Sequence, residues 1–337
     1  MVRSGEVAVL LLNYKGADDT IACLQALYGL ASPPGGVIVV DNASPDDSLM
    51  RIHTAWQQWA SPQLLREGQV VPHLGTRPVA LLLAHISNDG YAAGNNVGIR
   101  LAQQIGGFKA FWLLNNDAIP KPEALEALCE TCNRSQQPVV VGSTLVFAHD
   151  ESTIQCTGGS KFISFLGVTH PLHQGGHIAA LCEISVAHVE KHLDYVAGAS
   201  LFIHLDVLKR LDLLREDFFL YLEDTEFCIR ARRAGVSMLW ARDSIVLHKE
   251  GGSTGASSAS GCRNNRPAWI DYLMLRNRAC LVRDHYPLGL PLLCISYLFV
   301  ACKRFLRKQP DRIPLVFIAL YHGICGKMGK PNFQKSR

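Results

Sequence analysis

Asp41, Asp117, Glu223, Asp224 and His248 are ionisable side chains set beside apolar runs or at a helix start, where a chain can do chemistry. Asp117 closes Asn115-Asn116-Asp117, which follows the apolar run 111–114 and precedes Pro120. Amides and a carboxylate at a strand end can hold a ligand, because open α/β sheets gather ligands at the carboxyl ends of their strands. They can equally make a polar turn into the helix beginning near Lys121-Pro122-Glu123. Glu223-Asp224 opens a helical stretch, where acids serve as dipole partners or capping groups. Partly desolvated, Asp224 can also accept a proton near neutral pH. An isolated histidine such as His248 is as a rule structural.

The elements around these groups follow from periodicity. Val7–Asn13, 37–40, 79–86 and 111–114 are apolar runs of strand length, and helical segments alternate with them. That alternation implies βαβ units and a mostly parallel sheet flanked by helices. Each run ends in Asn or Asp, so Asn13, Asp41, Asn88 and Asp117 should converge along one sheet edge in a shared polar crevice. Ile21, Leu24, Leu27 and Leu30 keep helical spacing behind Asp18-Asp19-Thr20, which is placed to cap them. Residues 56–78 are broken by Pro and Gly. Strands are expected at 139–147 and 195–205, with a Gly/His-rich stretch of loops between them. Short helices follow at 206–214 and 223–234, a strand at 238–241, a flexible loop at 251–261 and a helix at 269–285.

The chain has 337 residues, 48% hydrophobic and 18% charged, enough to fill a large core. Its +4 charge is uneven: residues 303–337 hold nine Lys/Arg against Asp311, so the preceding 302 residues sum to −4. A mildly acidic body argues against nucleic acid, and a basic tail favours an anionic surface. Eleven scattered cysteines lack framework spacing and read as reduced cytosolic thiols. Cys129 and Cys132 fit one helix face. His170, His173, His177, His188 and His192 cluster without metal-site spacing. Residues 7–12 read as a first strand, not as a signal core.

Six blocks occur in order: VAVLLLNYKGADDTIACLQAL, VIVVDNASPDDS, SNDGYAAGNNVGIRLA, FWLLNNDAIP, YVAGASLFI and FFLYLEDTEFCIRARRAG. Over residues 7–280 the series resembles family 2 glycosyltransferases of the GT-A fold, particularly their rhamnosyltransferase-like branch. The resemblance implies a GT-A catalytic domain over 1–268, while the apolar and basic composition of 269–337 reads as a helical membrane-associating region. The resemblance also implies that Asp41 accepts from a pyrimidine ring N–H, with Asn13 and Tyr14 bordering that pocket. Asn88, Gly90, Gly94 and Asn95 would line the nucleotide and donor, although the Gly-x-x-x-Gly-x-x-x-Gly string fits helix packing equally well. Asn115-Asn116-Asp117 stands in the place of the family's Asp-x-Asp motif, with Asn115 and Asn116 on the donor. Asp117 and His248 would hold Mg²⁺ or Mn²⁺. Asp224 would be the base, oriented by Glu223. Glu226 stands where the family often has Asp, and Arg230, Arg232 and Arg233 either hold phosphate or form a solvated face.

By the same resemblance, one inverting displacement moves a single sugar, rhamnose by expectation, from a dTDP- or UDP-linked donor. The acceptor would be a lipid-linked saccharide in cell-surface polysaccharide assembly. The Gln-x-x-Arg-Trp motif of processive synthases does not occur. The apolar stretches 287–302 and 313–325 read as helices at a membrane interface or as a buried pair. The interfacial reading places the protein in the cytoplasm, peripheral on the inner face of the membrane. A sugar nucleotidyltransferase and a non-catalytic nucleotide-sugar-binding subunit are the alternatives. The first lacks its Gly-rich basic N-terminal loop.

Overall fold

The computed structural model describes residues 1–69, 78–249 and 267–331. In the first half, strands β1 (Val7–Asn13), β2 (Gly36–Asp41), β3 (Gln63–Arg66), β4 (Val79–Ala84), β5 (Ala110–Asn115) and β6 (Ala118–Pro120) alternate with helices α1 (Ala17–Tyr28), α2 (Ser48–Trp56), α3 (Tyr91–Ile105) and α4 (Ala124–Asn133). The second half adds β7 (Val139–Phe147), β8 (Asp150–Thr157), β9 (Gly159–Ile163), β10 (Val168–Pro171), α5 (Val186–His192), β11 (Tyr195–Val196), β12 (Ser200–His204), α6 (Leu205–Leu211), α7 (Glu223–Arg233) and β13 (Ser237–His248). Helices α8 (Ala268–His285), α9 (Leu290–Leu306) and α10 (Ile313–Ile324) close the described chain.

The main sheet runs β3-β4-β2-β1-β5-β12-β7-β13-β6, with β8 paired to β7. Strands β3, β4, β2, β1 and β5 are parallel, and β12 enters antiparallel between β5 and β7. Strands β1 and β2 are apolar along nearly their whole length because helices cover both sheet faces. Their register puts Asn13 opposite Asp41 and Leu12 opposite Asn115, so the polar ends fall at one edge.

Several local expectations need correction. Asp18 and Asp19 lie inside the first turn of α1, and Gly16 takes the cap position. The Gly/His-rich stretch read as loops contains β8, β9, β10 and α5, and its β9 and β10 form a second sheet with β11. Strand β13 runs on past Ala241 to His248, through a register shift between Ala241 and Ile245. The loop expected at 251–261 lies outside the described residues.

Helices α9 and α10 bury one face and expose the other. Leu293, Tyr297 and Ala301 of α9 and Val316, Ala319 and Gly323 of α10 are buried. Leu292, Ile295, Phe299 and Leu306 recur at helical spacing on the outside of α9, joined by Phe317, Ile318 and Tyr321 of α10. Pro287–Leu306 is the one helical stretch among the described residues long and apolar enough to cross a bilayer. Not all of the basic tail is free: Arg304 and Arg312 both bond Asp271. Lys303, Arg307 and Lys308 remain exposed.

Candidate active site

The strand ends meet in one hydrogen-bonded network. Asn13 Nδ2 donates to Asp41 Oδ1 at 2.6 Å, and Thr20 Oγ1 donates to Asn13 Oδ1 at 3.0 Å. Asn116 Nδ2 donates to Thr20 Oγ1 at 3.0 Å, which carries the chain from β1 into the Asn115-Asn116-Asp117 turn. From that turn Asn115 Oδ1 accepts from Tyr91 Oη, which also donates to Gly198 O. Gly198 N in turn donates to Asp224 Oδ2 at 2.9 Å. Asp41, Asp117, Asp224 and His248 therefore belong to one connected site, although they are scattered through more than two hundred residues of sequence.

Asp41 is nearly fully buried. Its Oδ1 accepts from Asn13 and from Ser44 Oγ, and its Oδ2 accepts from Ser44 N. A carboxylate has about four acceptor positions, so one on Oδ2 stays available for a ligand N–H. Tyr14, next to Asn13 in sequence, is half-buried, with Lys15 Nζ 5.4 Å from its ring centre. Asn42 Nδ2 bridges Asn88 Oδ1 and Gly90 O. Gly90 has φ +105°, and a Cβ there would lie 2.1 Å from Phe219 O, so it serves close packing of the turn before α7. A Cβ on Gly94 would lie 2.4 Å from Leu12 Cδ1, which makes position 94 a contact between α3 and β1. Asn95 is buried and donates to Tyr91 O. Gly94 thus follows the helix-packing reading, whereas Gly90 packs on the turn before α7.

Asp117 Oδ1 and His248 Nε2 stand 3.3 Å apart, both largely buried. Two atoms bound side by side to one Mg²⁺ at about 2.1 Å would be roughly 3 Å apart. Gln155 Oε1 lies 3.0 Å from His248 Nδ1, and Asn115 Nδ2 lies 3.4 Å from Nε2. With Nδ1 donating to Gln155, the imidazole turns an unprotonated Nε2 toward Asp117. This oxygen-nitrogen pair fits a divalent cation. No group of three His, Cys, Asp or Glu positioned for a metal occurs among the described residues, so further ligands would have to be amide, water or phosphate oxygens. Gln155 escaped the sequence reading because it lies in the stretch taken for loops. Replacing it by leucine is expected to weaken Mn²⁺ binding about 10-fold, as loss of a supporting hydrogen bond typically does. Titration of bound Mn²⁺ by electron paramagnetic resonance checks this.

Glu223 and Asp224 begin α7. Asp224 Oδ1 accepts from Thr225 N at 2.6 Å and from Thr225 Oγ1, and Oδ2 accepts from Gly198 N. Burial raises the Asp224 carboxyl above its ordinary range, against these hydrogen bonds. Burial first, and the Asp224 charge second, raise Glu223 as well. Glu223 Oε2 and Asn42 Oδ1 are buried and have no hydrogen-bond partner among the described residues. Both sit in this site, where an incoming ligand could supply the missing donors.

The remaining charges of α7 are already engaged. Burial opposes ionisation of Glu226, yet His285 and Arg230 hold its carboxyl below the usual range. Arg230 also donates to Leu211 O and Leu213 O, Arg232 bonds Asp194, and Arg233 bonds His285. Arg232 and Arg233 are exposed, as a solvated face would have them, and also tie α7 to neighbouring elements. Beside α7 lies a cavity of about 360 Å³, bordered by Tyr195, Thr225, Ile229, Arg232 and Tyr286.

Comparison with known proteins agrees with this layout. The model of glycosyltransferase like family 2 matches residues 69–271, well over half of the chain. The chain belongs to that family. It is 24% identical to the low-salt glycan biosynthesis hexosyltransferase Agl10 of Haloferax volcanii, over 97% of this chain and 93% of that protein. Its fold is similar to that of the mannosyltransferase PcManGT of Pyrobaculum calidifontis, solved with GDP-Man and Mn²⁺. That match has a TM-score of 0.55 at 14% identity, covering 97% of this chain and 90% of the other. GalNAc-T7, solved with UDP, GalNAc and Mn²⁺, superposes with a TM-score of 0.56 at 12% identity, over 82% of this chain and 47% of its own. The fold of this family 2 glycosyltransferase is GT-A, as the order of its sequence blocks implied.

Proposed function

We propose that this glycosyltransferase moves one hexose, rhamnose by expectation, from a dTDP- or UDP-linked donor to a lipid-linked saccharide in cell-surface polysaccharide assembly. The observation that carries the reading is the continuous network from Asp41 through Asn115-Asn116-Asp117 to Asp224. It joins by hydrogen bonds a buried carboxylate with an acceptor position to spare, an oxygen-nitrogen pair suited to a cation and a desolvated carboxylate. The hexosyltransferase relative supports a hexose, and the two structures solved with nucleotide or nucleotide-sugar and Mn²⁺ support a nucleotide-sugar donor and a divalent cation.

Asp41 Oδ2 holds the pyrimidine N–H, and Asn13 and Tyr14 wall that pocket. Asp117 and His248 would hold the cation, Mg²⁺ or Mn²⁺, which when bound would supply positive charge to the leaving diphosphate. The acceptor binds against the start of α7. Its hydroxyl proton passes to Asp224 Oδ2 while its oxygen bonds the anomeric carbon. The bond from that carbon to the diphosphate breaks, the diphosphate keeps the electron pair, and the centre inverts. Glu223 orients Asp224, its own carboxyl raised by burial first and by the Asp224 charge second. A screen following nucleoside diphosphate release, with dTDP-rhamnose set against UDP- and GDP-hexoses, tests the donor. Release from dTDP-rhamnose alone supports the full reading, whereas release only from GDP-linked sugars rejects the rhamnosyl and pyrimidine assignments.

The exposed apolar face of α9 and α10, with Lys303, Arg307 and Lys308 beside it, rests on the anionic inner leaflet in this proposal. Phe305 is exposed on α9 like Phe299, and the double substitution F299E/F305E should lower binding to vesicles rich in phosphatidylglycerol by at least about 10-fold, since each buried Phe contributes roughly 1.5–3 kcal/mol. Sedimentation with vesicles measures it, and equal binding by wild type and variant rules out the interfacial placement.

A further inference from the structure

The turn entering α7 is held in an unfavourable backbone shape. Phe219, Tyr221 and Leu222 have φ of +64°, +73° and +68°, a region that side-chain-bearing residues seldom occupy. Such conformations persist only where surrounding contacts impose them. Here the contacts come from α8, a helix remote in sequence. Asn277 Nδ2 lies 3.0, 2.9 and 2.8 Å from the carbonyl oxygens of Phe218, Leu220 and Tyr221. The carbonyl of Phe219 is taken by Tyr91 N at 2.6 Å, so all four carbonyls of the turn have donors.

Arg276 completes the arrangement. Its Nε donates to Asn277 Oδ1 at 3.0 Å, which fixes the direction of the amide. Its Nη2 donates to Phe218 O and its Nη1 to Gly329 O. Arg276 is 1% exposed and Asn277 fully buried. A buried guanidinium bound to neutral carbonyls is costly to keep, and burial lowers its proton affinity. General packing of α8 against the domain would not require it.

We propose that Arg276 and Asn277 are positioning residues for the transfer reaction: they clamp the 218–222 turn so that Asp224 meets the acceptor hydroxyl in a cleft closed to water. This rests on the glycosyltransferase reading with Asp224 as base. Displacement of a reacting group by about 1 Å can cost about 100-fold in rate, and Asp224 stands two residues beyond the clamped turn. Releasing the turn also admits water around Glu223 and Asp224, which lowers their raised proton affinity.

The test compares Asn277→Ala, Arg276→Lys and Asp224→Asn with wild type in the full chain. Amide hydrogen exchange of peptides covering 218–226 should quicken at least about 10-fold in Asn277→Ala while exchange in β1 and β5 stays unchanged. Turnover should fall about 10- to 100-fold with donor affinity within about twofold, and the acidic limb of the rate profile should move to lower pH. Arg276→Lys, which keeps a charged donor, should fall between wild type and Asn277→Ala and serves if the latter does not fold. Unchanged exchange at 218–226, or an equal loss of turnover, donor affinity and melting temperature, overturns the clamp. Retained turnover in Asp224→Asn instead overturns the base assignment, and the exchange measurement then still decides whether the clamp exists.

Discussion

Asp224→Asn is expected to lower turnover by about 10³-fold while donor affinity stays within about twofold. A positioned general base contributes roughly 10²–10⁴-fold, and asparagine keeps the shape that accepts from Gly198 N while losing the proton acceptor. Donor release in the presence of acceptor measures the first quantity, and calorimetric titration of the nucleoside diphosphate the second. A parallel loss of donor affinity would move Asp224 to a structural role. The pH dependence has a defined sign. The base works ionised, and burial raises its carboxyl, so wild-type turnover should fall with acidification on a limb above the ordinary carboxylate value of about 4. In Asp224→Asn that limb should disappear from the residual rate.

The second large effect belongs to the cation pair. Asp117→Ala should weaken nucleoside diphosphate binding in the presence of Mn²⁺ by at least about 10-fold, with little change when chelator replaces the metal. His248→Ala should act in the same direction. The contrast between metal and chelator matters because Asp117 also lies in a turn whose loss could disturb the pocket generally. Equal weakening under both conditions would assign Asp117 to the turn, and unchanged binding with Mn²⁺ would remove it from metal binding altogether.

The site was legible in the sequence where a parallel sheet makes it so. Runs such as VIVVD and FWLLN are apolar to their last residue and then change at once, because both sheet faces are covered while the carboxyl edge is lined by polar groups that bond one another. Asn13, Asp41 and Asn115 are therefore visible as strand ends. The second half was harder. Strand β8 is mostly polar and exposed at its start, which resembles a loop by composition, so Gln155 behind His248 was hidden. Strand β13 was cut short at Ala241 because Arg242 and Asp243 interrupt its apolar pattern where the register shifts. Arg276 and Asn277 lay in a stretch correctly expected to be helical, but nothing local links them to a turn more than fifty residues earlier. Contacts between distant elements leave no periodic trace. The apolar tail was ambiguous for a different reason, since α9 and α10 bury one apolar face against α8 and each other and expose another.

Crystals grown with a nucleoside diphosphate and Mn²⁺, recorded at the manganese absorption edge, bear most directly on whether these strand ends form one donor site. A single anomalous peak bound by Asp117 and His248, with the diphosphate beside it and the base against Asp41, is the expected density. A peak on other residues, or a nucleotide bound away from Asp41, would contradict it.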